Sequence, residues 1–145
     1  ADVVRALAGD DLVEAGTNDD TVFGGAGEDI IGGGTGDDEL FGDAGDDALL
    51  GNGGDDLLIG RGGDDVLIGG GGTDTYIFAA GWGHDRITGF DTNGETLDMS
   101  ALGIALSDLT ITTVSGVSTL IEYAGNSILL AGVDAATIDA SDFVF

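Results

Sequence analysis

The chain contains no cysteine, so it can build no disulfide, thiol nucleophile or thiolate metal site. It contains no lysine either. Its only basic side chains with a fixed charge are Arg5, Arg61 and Arg86, set against 28 aspartates and glutamates, for a net charge of −25. That balance argues against nucleic acid and anionic membranes as partners, because both need basic patches that three arginines cannot make. No apolar run reaches the length of a membrane span. The start, Ala1-Asp2-Val3-Val4, does not read as a signal peptide, and without an initiator methionine the chain is expected to be a piece of something larger. There is no HExxH zinc motif and no GxSxG elbow, and the single histidine, His84, has no nucleophile spaced beside it. Acid pairs such as Asp37-Asp38 mimic a glycosidase dyad, but they recur in nearly every repeat, so no catalytic residue is expected here.

What is present is one nine-residue phrase written eight times between Ala6 and Ile77, beginning at Ala6, Ala15, Gly24, Gly33, Gly42, Gly51, Gly60 and Gly69. Position six is always aspartate: Asp11, Asp20, Asp29, Asp38, Asp47, Asp56, Asp65 and Asp74. Position eight is always large and apolar or aromatic, from Val13 and Val22 to Leu67 and Tyr76. Position four is glycine except for Asn18, the residue type that best tolerates the positive φ that glycine supplies. A short, unbroken period of this kind marks a solenoid whose units bury their apolar faces only against each other.

Each phrase divides into a six-residue turn and a three-residue extended piece, as in Gly24 to Asp29 followed by Ile30-Ile31-Gly32. Three residues cannot stand alone as a strand, so stacked copies must supply the ladder bonds, giving a parallel coil of two phrases per turn with position eight inside. Stacking then brings the aspartate of one phrase close to the aspartate two phrases on. Bare carboxylates at that separation repel strongly, and no basic side chain is placed to separate them. A hard dication fits: carboxylates and the carbonyls of a glycine-rich turn form an all-oxygen shell, the preference of Ca²⁺, whereas Mg²⁺ demands stricter octahedral geometry.

These phrases, best seen in Gly24–Gly32 and Gly33–Phe41, resemble the RTX (repeats-in-toxin) calcium-binding nonapeptides of pattern GGxGxDxUx. The resemblance implies an all-β, right-handed parallel β-roll, a calcium-binding solenoid. It also implies about six Ca²⁺ ions, each between turns n and n+2 and held by two aspartate side chains and main-chain carbonyls. Carried over, the pairs are Asp11 with Asp29, Asp20 with Asp38, Asp29 with Asp47, Asp38 with Asp56, Asp47 with Asp65, and Asp56 with Asp74. The implied main-chain ligands at position four are Gly9, Asn18, Gly27, Gly36, Gly45, Gly54, Gly63 and Gly72. At position two they are Gly25, Gly34, Asp43, Asn52, Arg61 and Gly70, where Arg61 would be strained if its φ is positive. The first two phrases open Ala6-Leu7 and Ala15-Gly16, so the first turn is expected to be loose. Six dications would roughly halve the charge of −25, and without them self-repulsion opposes a thin core. The expectation is coupled binding and folding, with a disordered metal-free state.

Outside the array, residues 1–5 read as a lead-in, 6–88 as the roll and 89–145 as a C-terminal cap. Position five is acidic in seven of eight phrases and is read as outward, solvated charge. Position nine places Phe23, Phe41, Ile59 and Ile77 outward on one sheet, an apolar stripe expected to dock the C-terminal segment or a partner domain. Glu14, Gly32, Leu50 and Ile68 hold the same place on the other sheet. The period breaks by two residues after Ile77 and resumes with Gly83, Asp85 and Ile87, a shift that weighs against a further ion between Asp65 and Asp85. His84 is expected at the surface in a hydrogen-bonding role. Phe90 to Glu95 reads as a turn and Thr96 to Leu102 as a short strand entering a turn. Leu109–Val114, Val117–Tyr123 and Ser127–Leu130 read as a small antiparallel meander capping the open end of the roll.

The ending Asp142-Phe143-Val144-Phe145 resembles the uncleaved signal of type I secreted RTX proteins, including serralysin-type proteases. The resemblance implies a non-catalytic module of a larger secreted, extracellular protein, with a Gram-negative bacterium as source. It would fold on Ca²⁺ outside the cell, and its partners would be calcium, the type I secretion machinery and an upstream domain. An alternative is polysaccharide or cell-surface binding, since similar rolls occur in alginate epimerases and adhesins.

Overall fold

The computed structural model describes all 145 residues. Nine strands carry the repeats: β1 (Val3–Ala8), β2 (Leu12–Thr17), β3 (Thr21–Ala26), β4 (Ile30–Thr35), β5 (Glu39–Ala44), β6 (Ala48–Gly53), β7 (Leu57–Gly62), β8 (Val66–Gly71) and β9 (Thr75–Ile77). Six follow: β10 (His84–Thr88), β11 (Thr96–Asp98), β12 (Thr110–Val114), β13 (Ser118–Tyr123), β14 (Asn126–Ala131) and β15 (Phe143–Val144), with short 3₁₀ turns between them. Odd and even strands separate into two sheets, ordered β1-β3-β5-β7-β9-β11-β15 and β12-β13-β14-β10-β8-β6-β4-β2. The roll strands pair in parallel at a spacing of eighteen residues, Val22 with Leu40 and Ile31 with Leu49. The fold is thus an all-β parallel solenoid of two phrases per coil with a small antiparallel unit at one end.

The strands of the roll are longer than the three residues read from the sequence: β1 to β8 each run six, from position seven through position three of the next phrase. Only positions four to six make the bend. The glycine-rich opening therefore still pairs across the sheet, Gly25 with Asp43 and Ala26 with Ala44, even though its second residue has positive φ. Position eight fills the space between the sheets. Val22, Ile31, Leu40, Leu49, Leu58, Leu67, Tyr76 and Ile87 are completely buried, each aliphatic one stabilising the roll by about 2 kcal/mol. Val4 and Val13, at the open end, are only half-buried.

Residues 3–5 belong to β1 and pair with β3, so they are part of the array. Both sheets also run through position 88 without interruption. On one side β11 pairs with β9 and then with β15; on the other, β14 pairs in parallel with β10. The hairpins β12-β13 and β13-β14 extend that second sheet, and Ile121, Ile128, Leu130, Met99, Trp82 and Phe143 prolong the core over the last coil.

Candidate metal centre

Every position-six aspartate from Asp20 to Asp74 is buried, and Asp11 at the open end is half-buried. The backbone explains why. The N–H of each of these residues has no strand partner, and in all but Asp74 it donates instead to Oδ1 of the aspartate one coil further on. The distance is 2.8 Å for Asp11 to Asp29, Asp20 to Asp38, Asp29 to Asp47, Asp38 to Asp56 and Asp47 to Asp65, and 2.9 Å for Asp56 to Asp74. All six pairs implied by the family resemblance are therefore adjacent. The other oxygen, Oδ2, is buried with no hydrogen-bond partner in Asp11, Asp20, Asp29, Asp38, Asp47, Asp56, Asp65, Asp74 and Asp85. Nine orphaned carboxylate oxygens, five in the column from Asp11 to Asp85 and four in the column from Asp20 to Asp74 on the opposite edge, are far more than a folded domain of this size tolerates unless something else satisfies them.

The glycines cradle these oxygens. A Cβ on Gly24 would lie 2.5 Å from Asp29 Oδ2 and 2.9 Å from the Gly42 carbonyl, and Gly33, Gly42, Gly51, Gly60 and Gly69 hold the matching aspartates equally close. Position one is glycine because the carboxylate of its own phrase occupies the place of a side chain, a role that sequence reasoning did not assign. The repeated glycine itself was the available signal. At position four, the Gly27, Gly36, Gly45 and Gly54 carbonyls accept no backbone hydrogen bond. Each faces the next coil's position four so closely that a Cβ there would overlap it. At position two the φ values are positive throughout, including 77° at Asp43, 75° at Asn52, 75° at Arg61 and 89° at Leu7. Arg61 thus carries the expected strain, offset by an ion pair with Asp43 at 2.6 Å.

Position five does more than face solvent. Its carboxylates are exposed, but they reach toward the next coil and accept its backbone N–H groups, as in Glu28 to Asp10 at 3.0 Å and Asp55 to Asp37 at 2.9 Å. Position six binds the coil before and position five the coil after, so the two acids of each phrase clamp the stack in opposite directions.

Burial makes the inner column costly to ionise. It pushes Asp47, Asp56 and Asp65 up to about 6 and raises Asp38 and Asp74, against the opposing pull of the backbone N–H each accepts. No group of three or more His, Cys, Asp or Glu side chains converges anywhere, so carboxylates alone cannot enclose an ion. Main-chain carbonyls must complete the shell. The donors on offer are hard oxygens, flexible in arrangement, and these suit Ca²⁺.

The column runs one coil further than the sequence suggested. Despite the two-residue break, Asp65 N–H donates to Asp85 Oδ1 at 3.0 Å, and burial pushes Asp85 up to about 8. The break is absorbed in the loop before Gly83, leaving Ile87 in register with Leu67. Above Asp85 the column stops at the apolar Ile128, its register partner. His84 is exposed, as expected, with Nδ1 3.0 Å from Ser127 Oγ.

The outward stripe has a different fate from docking the C-terminal segment. Phe23 and Phe41 stack at 4.6 Å, Arg5 lies 4.7 Å over Phe23, and Arg61 lies 5.5 Å over Phe41. The groove at Ile59 and Ile77, about 520 Å³, is lined only by residues between Ile59 and Gly81. The C-terminal strand β15 instead lengthens the sheet beyond β11 and buries Phe143.

A parallel roll whose coils are joined through stacked, buried aspartates and unpaired turn carbonyls defines a class of metal-binding β-solenoids. The RTX calcium-binding nonapeptide repeat model matches in four copies, over residues 1–31, 28–58, 41–76 and 50–87, and the chain belongs to that family. It is a calcium-binding repeat module. A comparison with curated protein sequences finds no match. Among solved structures, the chain is similar to the AlgE6R3 subunit of the Azotobacter vinelandii mannuronan C5-epimerase. Identity is 27% and the TM-score 0.62, covering 94% of this chain and 78% of that one. It is also similar to the AlgE6R2 subunit of that enzyme, at 29% identity and a TM-score of 0.53, covering 96% and 91% respectively. The extracellular lipase LipA of Serratia marcescens aligns at 19% identity with a TM-score of 0.49, over 94% of this chain and 38% of that one.

Proposed function

We propose that this chain is a non-catalytic module that folds when it binds about six Ca²⁺ ions outside the cell, and that it supports type I secretion and the stability of a larger secreted protein. The observation that carries the reading is the two columns of buried Oδ2 atoms, nine in all, without a partner in a chain with no lysine. Bound calcium supplies there the positive charge and oxygen coordination that the side chains lack. The paired aspartates from Asp11 to Asp74, with carbonyls at positions two and four, would hold the ions; Oδ1 of each from Asp20 onward stays engaged with the neighbouring coil. In low cytosolic calcium the ionised column repels itself and the chain stays open for threading. Extracellular oxygen-ligand sites have dissociation constants of about 10⁻⁴ to 10⁻³ M, which sets the switch between the two compartments. Asp142 to Phe145 would act as the export signal, read before β15 joins its sheet. A calcium titration followed by circular dichroism and native mass spectrometry tests the reading. It is supported by a cooperative gain of β-structure with about six ions bound at neutral pH; the same β-structure after exhaustive chelation at that pH overturns it.

Polysaccharide binding is the second reading. It is favoured by the likeness to subunits of an epimerase named for mannuronan and by the Arg5-Phe23-Phe41-Arg61 face, which gathers two of the three arginines onto aromatic rings. Glycan binding measured with and without Ca²⁺ separates the two readings.

A further inference from the structure

The two columns of aspartates end differently, and the end beyond Asp74 carries more than a stop. Strand β11 pairs with β9 through Thr96 with Thr75 and Leu97 with Tyr76, and Thr96 N–H donates to the Asp74 carbonyl at 3.0 Å. Position seven bonds position six in this way all along the roll, as in Thr75 to Asp56 at 2.8 Å. Glu95 therefore occupies the position-six place one coil above Asp74, although it lies beyond the last matched repeat at residue 87. Its longer side chain makes a different set of bonds. Glu95 is 5% exposed, and its Oε2 accepts the Asp91 N–H at 3.0 Å and the Tyr76 hydroxyl at 3.4 Å. Tyr76 is the one position-eight residue with a polar end, and its hydroxyl is fixed by the Gly69 N–H at 3.1 Å. Below Glu95, Asp74 is fully buried, its Oδ2 has no partner, and its N–H finds no acceptor where every earlier one in the column does. The two carboxyl groups lie within hydrogen-bonding reach of each other, and no basic side chain pairs with either, Arg61 being engaged with Asp43 and Arg5 lying over Phe23.

We infer that Asp74 and Glu95 hold a further hard dication of the calcium type, a terminal site outside the nonapeptide array that joins the last coil to the cap. Both hydrogen bonds to Glu95 are donated to one oxygen, which works against the burial that pushes this carboxyl up to about 7 and leaves Oε1 as the oxygen available to an ion shared with Asp74 Oδ2. Tyr76 is a positioning residue: it touches Glu95 and fixes the carboxylate's direction without being a ligand. The inference rests on the calcium reading of the array, and the experiment keeps the two apart.

Bound ions are counted by native mass spectrometry and elemental analysis in the full chain at saturating Ca²⁺ and about pH 8, where both carboxyls are ionised. Glu95→Gln keeps the shape and the acceptor oxygen but removes the charge, and is expected to bind one ion fewer than the parent with an unchanged circular dichroism spectrum. Tyr76→Phe is expected to keep the ion count while weakening the last ion by about tenfold, the cost of losing a partner that orients a ligand. An unchanged count in Glu95→Gln would mean that the pair holds a proton instead, and that overturns the inference. An unchanged isotherm in Tyr76→Phe, should the first variant fail to fold, does the same. A parent protein that binds no calcium defeats the array reading itself.

Discussion

Removing the metal should leave a protein that folds best at acid pH. Asp47, Asp56 and Asp65 are pushed from 3.8 up to about 6, chiefly by burial, and Asp85 to about 8. Each of the first three thus binds its proton more tightly folded than unfolded, so folding is favoured by protonation. That contribution is complete below the unfolded value near 3.8 and disappears as pH rises through about 6, and through about 8 for Asp85. A shift of two units corresponds to about 3 kcal/mol per group, and screening by water entering at the turns reduces it to on the order of 1–2 kcal/mol. Summed over the column, ionisation opposes folding by several kcal/mol, of the order of a domain's whole stability of about 5–15 kcal/mol. The chelated protein, followed by far-ultraviolet circular dichroism in dilute solution, should therefore be most ordered near pH 4.5 or below and should lose β-structure as pH passes about 6. With saturating Ca²⁺ the structure persists at neutral pH as well, because ions take over the column as protons leave it, so the loss above about pH 6 is seen only in the chelated protein. Chelated protein at least as ordered at pH 8 as at pH 4.5 would refute the electrostatic account of the column.

Three further outcomes follow from the geometry. Gly42→Ala places a Cβ 2.9 Å from the Gly60 carbonyl and against Asp47 Oδ2 without any change of φ region. It should cost about 2 kcal/mol and raise the calcium concentration at the folding midpoint, measured by titration, and an unchanged midpoint would show that the cradle has room. Leu7→Gly relieves a φ of 89° at an exposed residue. It should raise stability in saturating calcium by about 0.5–1 kcal/mol by urea denaturation. Deleting Phe143 to Phe145 removes a buried ring and the last strand of its sheet. It should lower stability by about 3 kcal/mol and abolish secretion while the count of bound ions stays the same; normal secretion would contradict the export role.

The sequence by itself determined the period, the core and the column. Aspartate at position six and an apolar residue at position eight, repeated without slip, admit one stacking, because any other register puts carboxylates into the core or leucines into water. That each aspartate neighbours the one two phrases on followed from the period, the family resemblance named the pairs from Asp11–Asp29 to Asp56–Asp74, and the structure sets each pair side by side. Strand length did not follow, since a glycine-rich stretch reads as a turn until its neighbours in the next coil supply the ladder bonds that keep it extended. Glu95 was hidden, and Asp85 was legible as a resumed position six but not as part of the stack, for a related reason. The two residues inserted after Ile77, and the loop before Glu95, break the count along the chain, but strand pairing restores the register in space. Only the tertiary structure decided which oxygen of each aspartate is engaged and which is left buried and open. That choice depends on a backbone N–H eighteen residues away, a neighbour that becomes local only when the coils close on one another.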